Sequence, residues 1–335
     1  MKCRKIAMAF IAMGALLASV ASAQEDARWL GTSRSGFTSG LAKPQASVAI
    51  PATATYSNAS YGTGGVALRN RSRGFIHISG VTGPTQAAYL YWAVLLSNPT
   101  PTQLSHAAEV LIQREFPTGG TTRQVKGKLL AIGGDPCWGS SGTWVYRGVV
   151  PNTIATGNGS YKIVVTAPGL TDGEDPWDGN VVFPAWEGAS LVIIGTGSAN
   201  VGLFDGQAGT TFFLSTYSPS FHLPATVASG SQVLFDNFGY DGQIGKSRSI
   251  ASTTSNETTT AEGVPSATSV LVAGPGGETG DSDWDGSSGW PLPQLWDDTG
   301  HDISNAFAVG DTDAVVSFTA GNDCVGTVGA VISVQ

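Results

Sequence analysis

The chain has 335 residues and a formal net charge of −8, and only 13% of its residues are charged. Such a composition disfavours amphipathic helices, whose wet faces need Lys and Glu. The acidic balance also disfavours nucleic acid as a partner, because phosphate binding needs a basic patch. Divalent cations suit this chain better.

Residues 1–23 are predicted to be a secretory signal peptide that is cleaved after Ala23. Three basic residues precede an apolar run from Ile6 to Val20, and small residues follow at the cleavage point. This run is too short to span a membrane, and no second apolar stretch of about 18 residues appears. We therefore expect a soluble, extracellular bacterial protein, with a net charge of −11 once the leader's three basic residues are removed.

Residues 24–47 have little periodicity and are predicted to be an exposed lead-in. Beyond them, short apolar runs alternate with Gly, Pro and Asn turn signals, which is typical of strands. Ala87–Leu96 predicts a strand buried on both faces, and Ala189–Gly197 predicts a second central strand. The other strand candidates are Phe75–Gly80, Glu109–Phe116, Gly127–Gly134, Gly142–Val150, Ser160–Ala167, Thr210–Tyr217, Ser231–Phe238, Thr268–Gly274, Asp313–Gly321 and Val328–Val334.

At least eleven strands without a long helix favour an all-β, antiparallel β-sandwich of jelly-roll-like type. The chain length allows one large sandwich or two adjoining ones. A Gly/Ser/Asn tract near residues 195–200 predicts the boundary between two halves, 48–198 and 199–335. Ala251–Gly263 is polar and rich in Thr, and it predicts a long surface loop.

Two cysteines, Cys137 and Cys324, remain after removal of the leader. In an oxidising compartment they are predicted to form one disulfide between the middle of the chain and its last strands. The chain-entropy treatment gives such a bridge about 4–5 kcal/mol of stabilisation. The alternative is a pair of buried free thiols.

Five segments occur in an order that carries a resemblance. They read AAYLYWAVL, WVYRGVV, GNGSYKIVV, WEGASLVIIGTG and LFDGQ. The series resembles a family of poorly characterised secreted bacterial and archaeal proteins, whose blocks read A-[YF]-L-Y-W, Y-R-A-D-V-T, G-x-G-x-Y-T-V, S-L-V-V-V-Y and Y-D-G. The resemblance covers the chain from about Val66 onward. It implies an extracellular β-sandwich without established catalytic residues, and this chain lacks the Asp of the second block.

The segment DSDWDGSSGW places three aspartates at alternate positions, Asp281, Asp283 and Asp285, before a glycine. Alternate carboxylates can converge on one ion, and glycine allows the sharp turn of a calcium loop. The twelfth position lacks the Glu of an EF-hand, so another carboxylate, such as Asp297 or Asp298, would have to complete a Ca²⁺ site. The alternative is a solvated acidic loop.

A second acidic segment, TDGEDPWDGN, combines Trp177 with Asp175 and Asp178, and Trp284 lies within the first segment. A Trp ring beside carboxylates can stack on a sugar ring while the acids bind its hydroxyls, so these four residues are predicted ligand contacts. Further candidates for stacking on a sugar ring are Trp138, Trp144, Trp186, Trp290 and Trp296. The alternative for any of these rings is a place in the core.

We expect a secreted binding or surface protein, directed at an extracellular glycan or another cell-surface component, with Ca²⁺ in its acidic loops. The alternative is a polysaccharide-active hydrolase or lyase that uses paired carboxylates in the same loops, although no motif selects catalytic residues. A third reading is a structural component of a surface layer. A binding protein predicts a shallow aromatic strip, whereas a hydrolase predicts a groove with two facing carboxyls.

Overall fold

The computed structural model describes ten stretches of the chain, and all of them belong to one compact unit from Ser47 to Gln335. The described residues are 49–69, 71–117, 119–134, 138–166, 181–205, 212–213, 216–241, 258–273, 295–320 and 325–335. Within these stretches, no helix is long and apolar enough to cross a membrane.

The described residues form an almost entirely β, antiparallel structure, which confirms the predicted all-β sandwich class. The strands are β1 (Ala54–Ala67), β2 (Arg73–Ile78), β3 (Thr85–Leu96), β4 (Glu109–Phe116), β5 (Arg123–Gly133), β6 (Gly142–Val149), β7 (Gly159–Val165), β8 (Ala185–Thr196), β9 (Ala199–Asp205), β10 (Phe212–Phe213), β11 (Thr216–Tyr217), β12 (Ser220–His222), β13 (Val233–Tyr240), β14 (Thr258–Val264), β15 (Ser269–Ala273), β16 (Trp296–Asp302), β17 (Asp313–Thr319) and β18 (Val325–Val334). A short helix, α1 (Pro101–Ala107), and a 3-10 helix, Ser304–Ala306, complete the described elements.

Most of the strands belong to one long sheet that folds over itself. Its order is β16-β13-β18-β9-β1-β8-β3-β6-β5-β4-β7-β2, with β10 paired to β18. Strand β1 pairs first with β9 and then with β8, with a register shift between Tyr56 and Ala59. Strand β5 pairs first with β4 and then with β6, with a shift between Leu129 and Ala131. These two strands carry the sheet from one layer to the next.

The fold is a stack of four β layers. The first layer contains β2, β7, β4 and the start of β5, and the second contains the rest of β5 with β6, β3, β8 and the end of β1. The third contains the start of β1 with β9, β18, β13 and β16. The fourth is a separate five-stranded sheet, β11-β17-β14-β15 with β12 on β17. A first core, a middle core and a last core fill the three spaces between these layers.

The second layer is buried on both faces, as the apolar run of β3 predicts. Leu90 and Trp92 face the first core, while Tyr91 and Ala93 face the middle core, and all four are fully buried. Strand β8 alternates in the same way between Leu191 and Val192. The predictions of a doubly buried strand at residues 87–96 and of a central strand at residues 189–197 are therefore confirmed.

Strand β1 was not among the predicted strands, because its sequence is polar and rich in glycine. Its glycines are needed where β2 crosses it closely. A Cβ on Gly62 would lie 2.0 Å from the carbonyl oxygen of Ser79, and one on Gly64 would lie 2.5 Å from that of His77. A side chain at either position would separate the two strands and open the first core.

Two local predictions need correction. The predicted loop at residues 251–263 contains the start of β14 from Thr258, where alternate residues such as Thr259 and Ala261 are buried and β-branched threonines suit a strand. The turn after β3 leads into α1, which the sequence analysis did not identify. Thr100 and Gln103 form a capping box at its start, and a proline at the first turn costs no hydrogen bond.

The predicted boundary near residue 198 falls in the turn between β8 and β9. The first core takes its residues from 66–193 and the last core takes its residues from 204–334. The middle core contains residues from both parts, including Tyr91 and Phe238 in direct ring contact. A division into two sandwich halves, 48–198 and 199–335, stays a prediction.

Replacing Gly188 with Ala is expected to lower the free energy of unfolding by about 1–3 kcal/mol. The added Cβ would lie 2.4 Å from ring atoms of Trp296 and would push β16 away from β8. Gly119 is the matched control, because a Cβ there meets nothing within 4 Å. Urea denaturation followed by Trp fluorescence measures both variants, and equal stability of the two would contradict the close packing of β8 and β16.

Candidate functional site

The predicted site residues all lie outside the described residues. They are Asp175, Trp177, Asp178, Asp281, Asp283, Trp284, Asp285, Cys137 and Cys324. The calcium loop, the sugar-stacking tryptophans and the disulfide therefore stay predictions.

The strands that follow the two acidic segments nevertheless begin beside each other. Strand β8 starts at Ala185 and β16 starts at Trp296, and the Trp296 ring packs on the backbone of Gly188. Its Nε1 donates a hydrogen bond to Ser190 Oγ at 3.0 Å. The strand positions are thus compatible with cooperation between the two acidic segments.

Most of the other tryptophans belong to the core. Trp186 and Trp296 are fully buried, and Trp144 is only 9% exposed. Trp138 stacks on a guanidinium group, with Arg69 Cζ 4.5 Å from its ring centroid, and its Nε1 donates to Asp241 Oδ1 at 2.5 Å. The core alternative is therefore the correct one for Trp144, Trp186 and Trp296.

A pair of aspartates faces the second layer from the third. Asp236 on β13 lies opposite Gly300 of β16, and Asp298 lies opposite Phe238, so the two carboxyls are diagonal neighbours on one face. Gly300 leaves room for the pair, since a Cβ there would lie 2.4 Å from Asp236 Oδ1. The register of β13 and β16 thus brings together two acids that are far apart in sequence.

Hydroxyl groups from β1 and β8 surround this pair. The Tyr61 hydroxyl donates to Asp236 Oδ2, and Thr63 Oγ1 donates to Asp236 Oδ1 at 3.0 Å. Thr63 and Ser190 also form hydrogen bonds with the Asp298 carboxyl. Asp236 thus accepts from two hydroxyls, whereas Asp298 Oδ2 is buried without a hydrogen-bond partner among the described residues. Asp298 is therefore the less well compensated of the two carboxyls.

The pKa values of the pair agree with this order. Burial raises the pKa of Asp236 from 3.8 to about 6, although hydrogen bonds from Tyr61 and Thr63 oppose the change. Burial raises the pKa of Asp298 further, to about 7, and the neighbouring Asp236 charge adds to the effect. Burial also raises the pKa of Tyr61 well above its ordinary value, so the phenol remains a donor.

This pair connects two layers, and its geometry does not favour hydrolysis. Tyr61, Thr63 and Ser190 of the second layer lie against the carboxyl groups. Among the described residues, no group of three or more His, Cys, Asp or Glu side chains is arranged to hold a metal ion.

A second polar cluster joins three of the segments that carry the family resemblance. Asp205, from LFDGQ, accepts from Tyr91 of β3 at 2.7 Å and pairs with Arg147 Nη1 of β6 at 2.5 Å. The Arg147 guanidinium lies 5.5 Å from the ring centroid of Tyr89, whose hydroxyl is 2.6 Å from that of Tyr56. These contacts close the opposite flank of the middle core.

The outer surface of the first layer is an open sheet face, because no described strand packs on it. Arg73, Phe75 and His77 of β2 are all exposed there, and Phe75 is 48% exposed. The register places Phe75 beside Lys162 of β7, which lies beside Gln113 of β4. We call this surface, formed by the outward residues of β2, β7, β4 and the start of β5, the open face.

The open face is a flat sheet surface with Phe75 as its exposed aromatic ring. It offers an aromatic ring, an ammonium group and an amide in one row, with half-buried Leu111 and Val164 in the next row. The signal in the sequence was the alternation of FIHIS, where Phe75 and His77 occupy one face and Ile76 and Ile78 the other.

The signal for the buried pair was an aspartate at an inward position in an otherwise apolar strand, VLFDNFGY. Asp298 had been considered only as an additional calcium ligand. Because a single strand does not show its partner or register, the sequence did not reveal the pairing of Asp236 with Asp298.

Neither a protein-family model nor a curated protein matches this chain. The function must therefore be argued from the residues and their geometry.

Replacement of Asp298 by Asn tests the raised pKa. Between its ordinary pKa of 3.8 and its raised value of about 7, Asp298 binds more protons in the folded chain than in the unfolded chain. The free energy of unfolding of the wild type should therefore fall as pH rises through this window. In Asp298→Asn the fall between pH 5 and pH 8 should shrink by about 2–3 kcal/mol, since one pKa unit corresponds to about 1.4 kcal/mol.

Asp302 is the matched control on the same strand. It is exposed, and although desolvation by itself raises its pKa, the hydrogen bonds from Gln232 and Ser304 together lower it. Asp302→Asn should reduce stability about equally at pH 5 and pH 8. Urea titrations at several pH values measure both slopes, and an unchanged slope in Asp298→Asn would refute the raised pKa of Asp298.

Proposed function

We propose that the protein is a secreted, extracellular binding protein directed at carbohydrate, and that the open face contacts the ligand. The observation that carries this proposal is the exposed ring of Phe75 on a flat sheet surface beside Lys162 and Gln113. Sugar rings have apolar C–H faces that pack on an aromatic ring, and their hydroxyls bond to ammonium and amide groups.

A flat sheet face suits an extended chain better than a small molecule. Small-molecule sites are usually concave and bury most of the ligand. On the open face, neighbouring strands are about 4.8 Å apart, so four strands give a surface about 15 Å wide. A polysaccharide lying across β2, β7, β4 and β5 would contact one outward side chain on each strand.

The acidic segments are a second location that we propose for ligand and calcium. The spacing of Asp281, Asp283 and Asp285 supports Ca²⁺ binding, and Trp284 and Trp177 would then stand beside a fixed loop. Ion binding would hold charges that otherwise repel one another. The adjacent starts of β8 and β16 support cooperation between the segments.

The alternative function, a polysaccharide-active hydrolase or lyase, would need paired acids from the acidic segments. Asp236 and Asp298 are a pair with raised pKa values, but hydroxyl groups of the second layer contact them directly. We therefore propose a binding function rather than a catalytic one.

A glycan array with and without Ca²⁺ is the main test. Phe75→Ala is expected to weaken binding of any glycan hit about tenfold or more. An aromatic ring at the centre of a contact commonly contributes about 1.4 kcal/mol or more to the binding free energy, which corresponds to a tenfold change in affinity. Val309→Ala is the matched control, since Val309 is 70% exposed and lies outside the open face. Trp284→Ala tests the competing location on the acidic segment.

Loss of binding in Trp284→Ala with full binding in Phe75→Ala would move the ligand from the open face to the acidic segment. New reducing ends or unsaturated products in the bound fraction would favour the enzyme. Absence of binding to every glycan would contradict the proposed function.

Removal of metal tests the calcium proposal separately. EDTA is expected to lower the melting temperature by a few degrees, and excess Ca²⁺ should restore it, because an ion that binds only the folded chain stabilises it by mass action. The variant Asp283→Asn should melt at the same temperature with and without EDTA. If neither EDTA nor Ca²⁺ changes the melting temperature of the wild type, the calcium proposal is wrong.

A further inference from the structure

The charges of the described residues are separated along the chain. All nine described Lys and Arg residues lie between positions 69 and 162, which form the first and second layers. The described residues from 181 onward contain no Lys or Arg, and they contain ten Asp and Glu residues. The described residues therefore comprise a basic part and an acidic part.

The two parts expose their charges differently. In the acidic part, Glu187, Asp205, Asp241, Asp297 and Asp311 have at most 3% of their side-chain or residue surface exposed. Asp302 alone among the ten described acids falls in the exposed class. In the basic part, four cationic side chains are exposed: Arg73, Arg123, Lys126 and Lys128. The described surface is thus more basic than the composition suggests.

Three of these cations lie on or beside the open face, whereas Arg123 pairs with the buried Ile112 and so belongs to the inward side of β5. Arg73 projects outward from β2, and Lys126 and Lys128 project outward from β5 at alternate positions, about 7 Å apart. Two acids share this surface, and each is paired: Glu109 with Lys126 at 3.4 Å and Glu115 with Lys162 at 3.8 Å.

Three of the cations have no such partner. Among the described residues, no carboxylate lies within 4.0 Å of Arg73, Arg123 or Lys128. Exposed basic groups without acid partners raise the local concentration of anions by their field.

We infer that the ligand of the open face is an acidic polysaccharide, with carboxylate groups along its chain. This inference rests on the proposed function and adds the charge of the ligand to it. Phe75 stacks on a sugar ring, while Arg73 and Lys128 pair with carboxylates of the polysaccharide. Arginine binds a carboxylate through two parallel hydrogen bonds, which gives the contact a direction as well as attraction.

A second copy of the chain fits the open face less well. Head-to-tail association would need an exposed acidic surface on the other part, and the described acids there are mostly internal. His222 already pairs with Asp313 at 2.9 Å, and Asp302 is held by Gln232 and Ser304.

The test compares short oligogalacturonates with their fully methyl-esterified forms, which have the same sugar chain without the charges. Calorimetry on the full protein at about 20 mM salt should show tighter binding of the acid form, because exposed charges interact strongly when the screening length is long. The preference should disappear near about 1 M salt, where the screening length is about 3 Å.

Two sets of variants act in opposite directions. The variant that combines Arg73→Gln with Lys128→Gln should weaken binding of the acid form about tenfold, since each exposed charge pair contributes about two- to fivefold. Arg123→Gln is the matched control on the inward side of β5 and should leave binding unchanged. The double variant Glu109→Gln and Glu115→Gln releases Lys126 and Lys162 from their partners and should strengthen binding. A folding defect cannot produce a gain in the second set, so the pair of results separates charge from stability.

The outcomes are distinct. Equal binding of acid and ester forms, with loss only in Phe75→Ala, would overturn the inference and leave the proposed function intact. Binding of no oligosaccharide by any form would overturn both. Binding of vesicles with anionic phospholipid, or self-association in sedimentation at low salt that Arg73→Gln with Lys128→Gln abolishes, would overturn the inference if the acid oligosaccharide does not bind.

Discussion

The whole fold depends on a second layer that is buried on both of its faces. From Leu90 to Leu96 in β3 and from Ala185 to Gly195 in β8 every residue is buried, so each side chain there must fit one of two cores. The first and third layers must therefore pack on the two faces of this layer. The chain achieves this because β1 and β5 bend from one layer into the next. A single long sheet can thereby pack on itself, and apolar burial of this central layer provides the main driving force.

The middle core that results is held by polar contacts as well as apolar ones. At one edge of its apolar centre the Tyr91 hydroxyl donates a hydrogen bond to Asp205, and at the other edge the Tyr61 hydroxyl donates to Asp236. Phenol groups of the second layer thus form hydrogen bonds with carboxyl groups of the third. A neutral donor compensates a buried carboxylate less completely than a cation would, and the pKa of Asp236 rises accordingly. Because hydrogen bonds are directional, these contacts set the relative position of the second and third layers.

The doubly buried strands were predictable from the sequence, because a long apolar run such as Ala87–Leu96 is stable only where both of its faces are buried. The sequence did not predict β1, whose glycines matter only because β2 passes within contact distance of Gly62 and Gly64. It identified Asp298 as a possible metal ligand but could not join it to Asp236, since that contact depends on the register of β13 and β16. It predicted β2 as a strand but not the open face, because the lack of a covering layer depends on the tertiary stack.

The placement of charge follows from the same stack. A carboxylate can enter a core if hydroxyl donors compensate it, as Tyr61 and Thr63 do for Asp236, whereas a buried Arg needs an acid partner, as Arg69 has in Glu187. The third and fourth layers use acids as internal hydrogen-bond acceptors and contain no described Lys or Arg of their own, although Arg147 of the second layer reaches Asp205. The first layer has solvent on its outer side, so it can present Arg73 and Lys126 to water. Formal net charge therefore says little about which ion the described surface attracts, because most of the described acids are shielded and the exposed charges there are mainly basic.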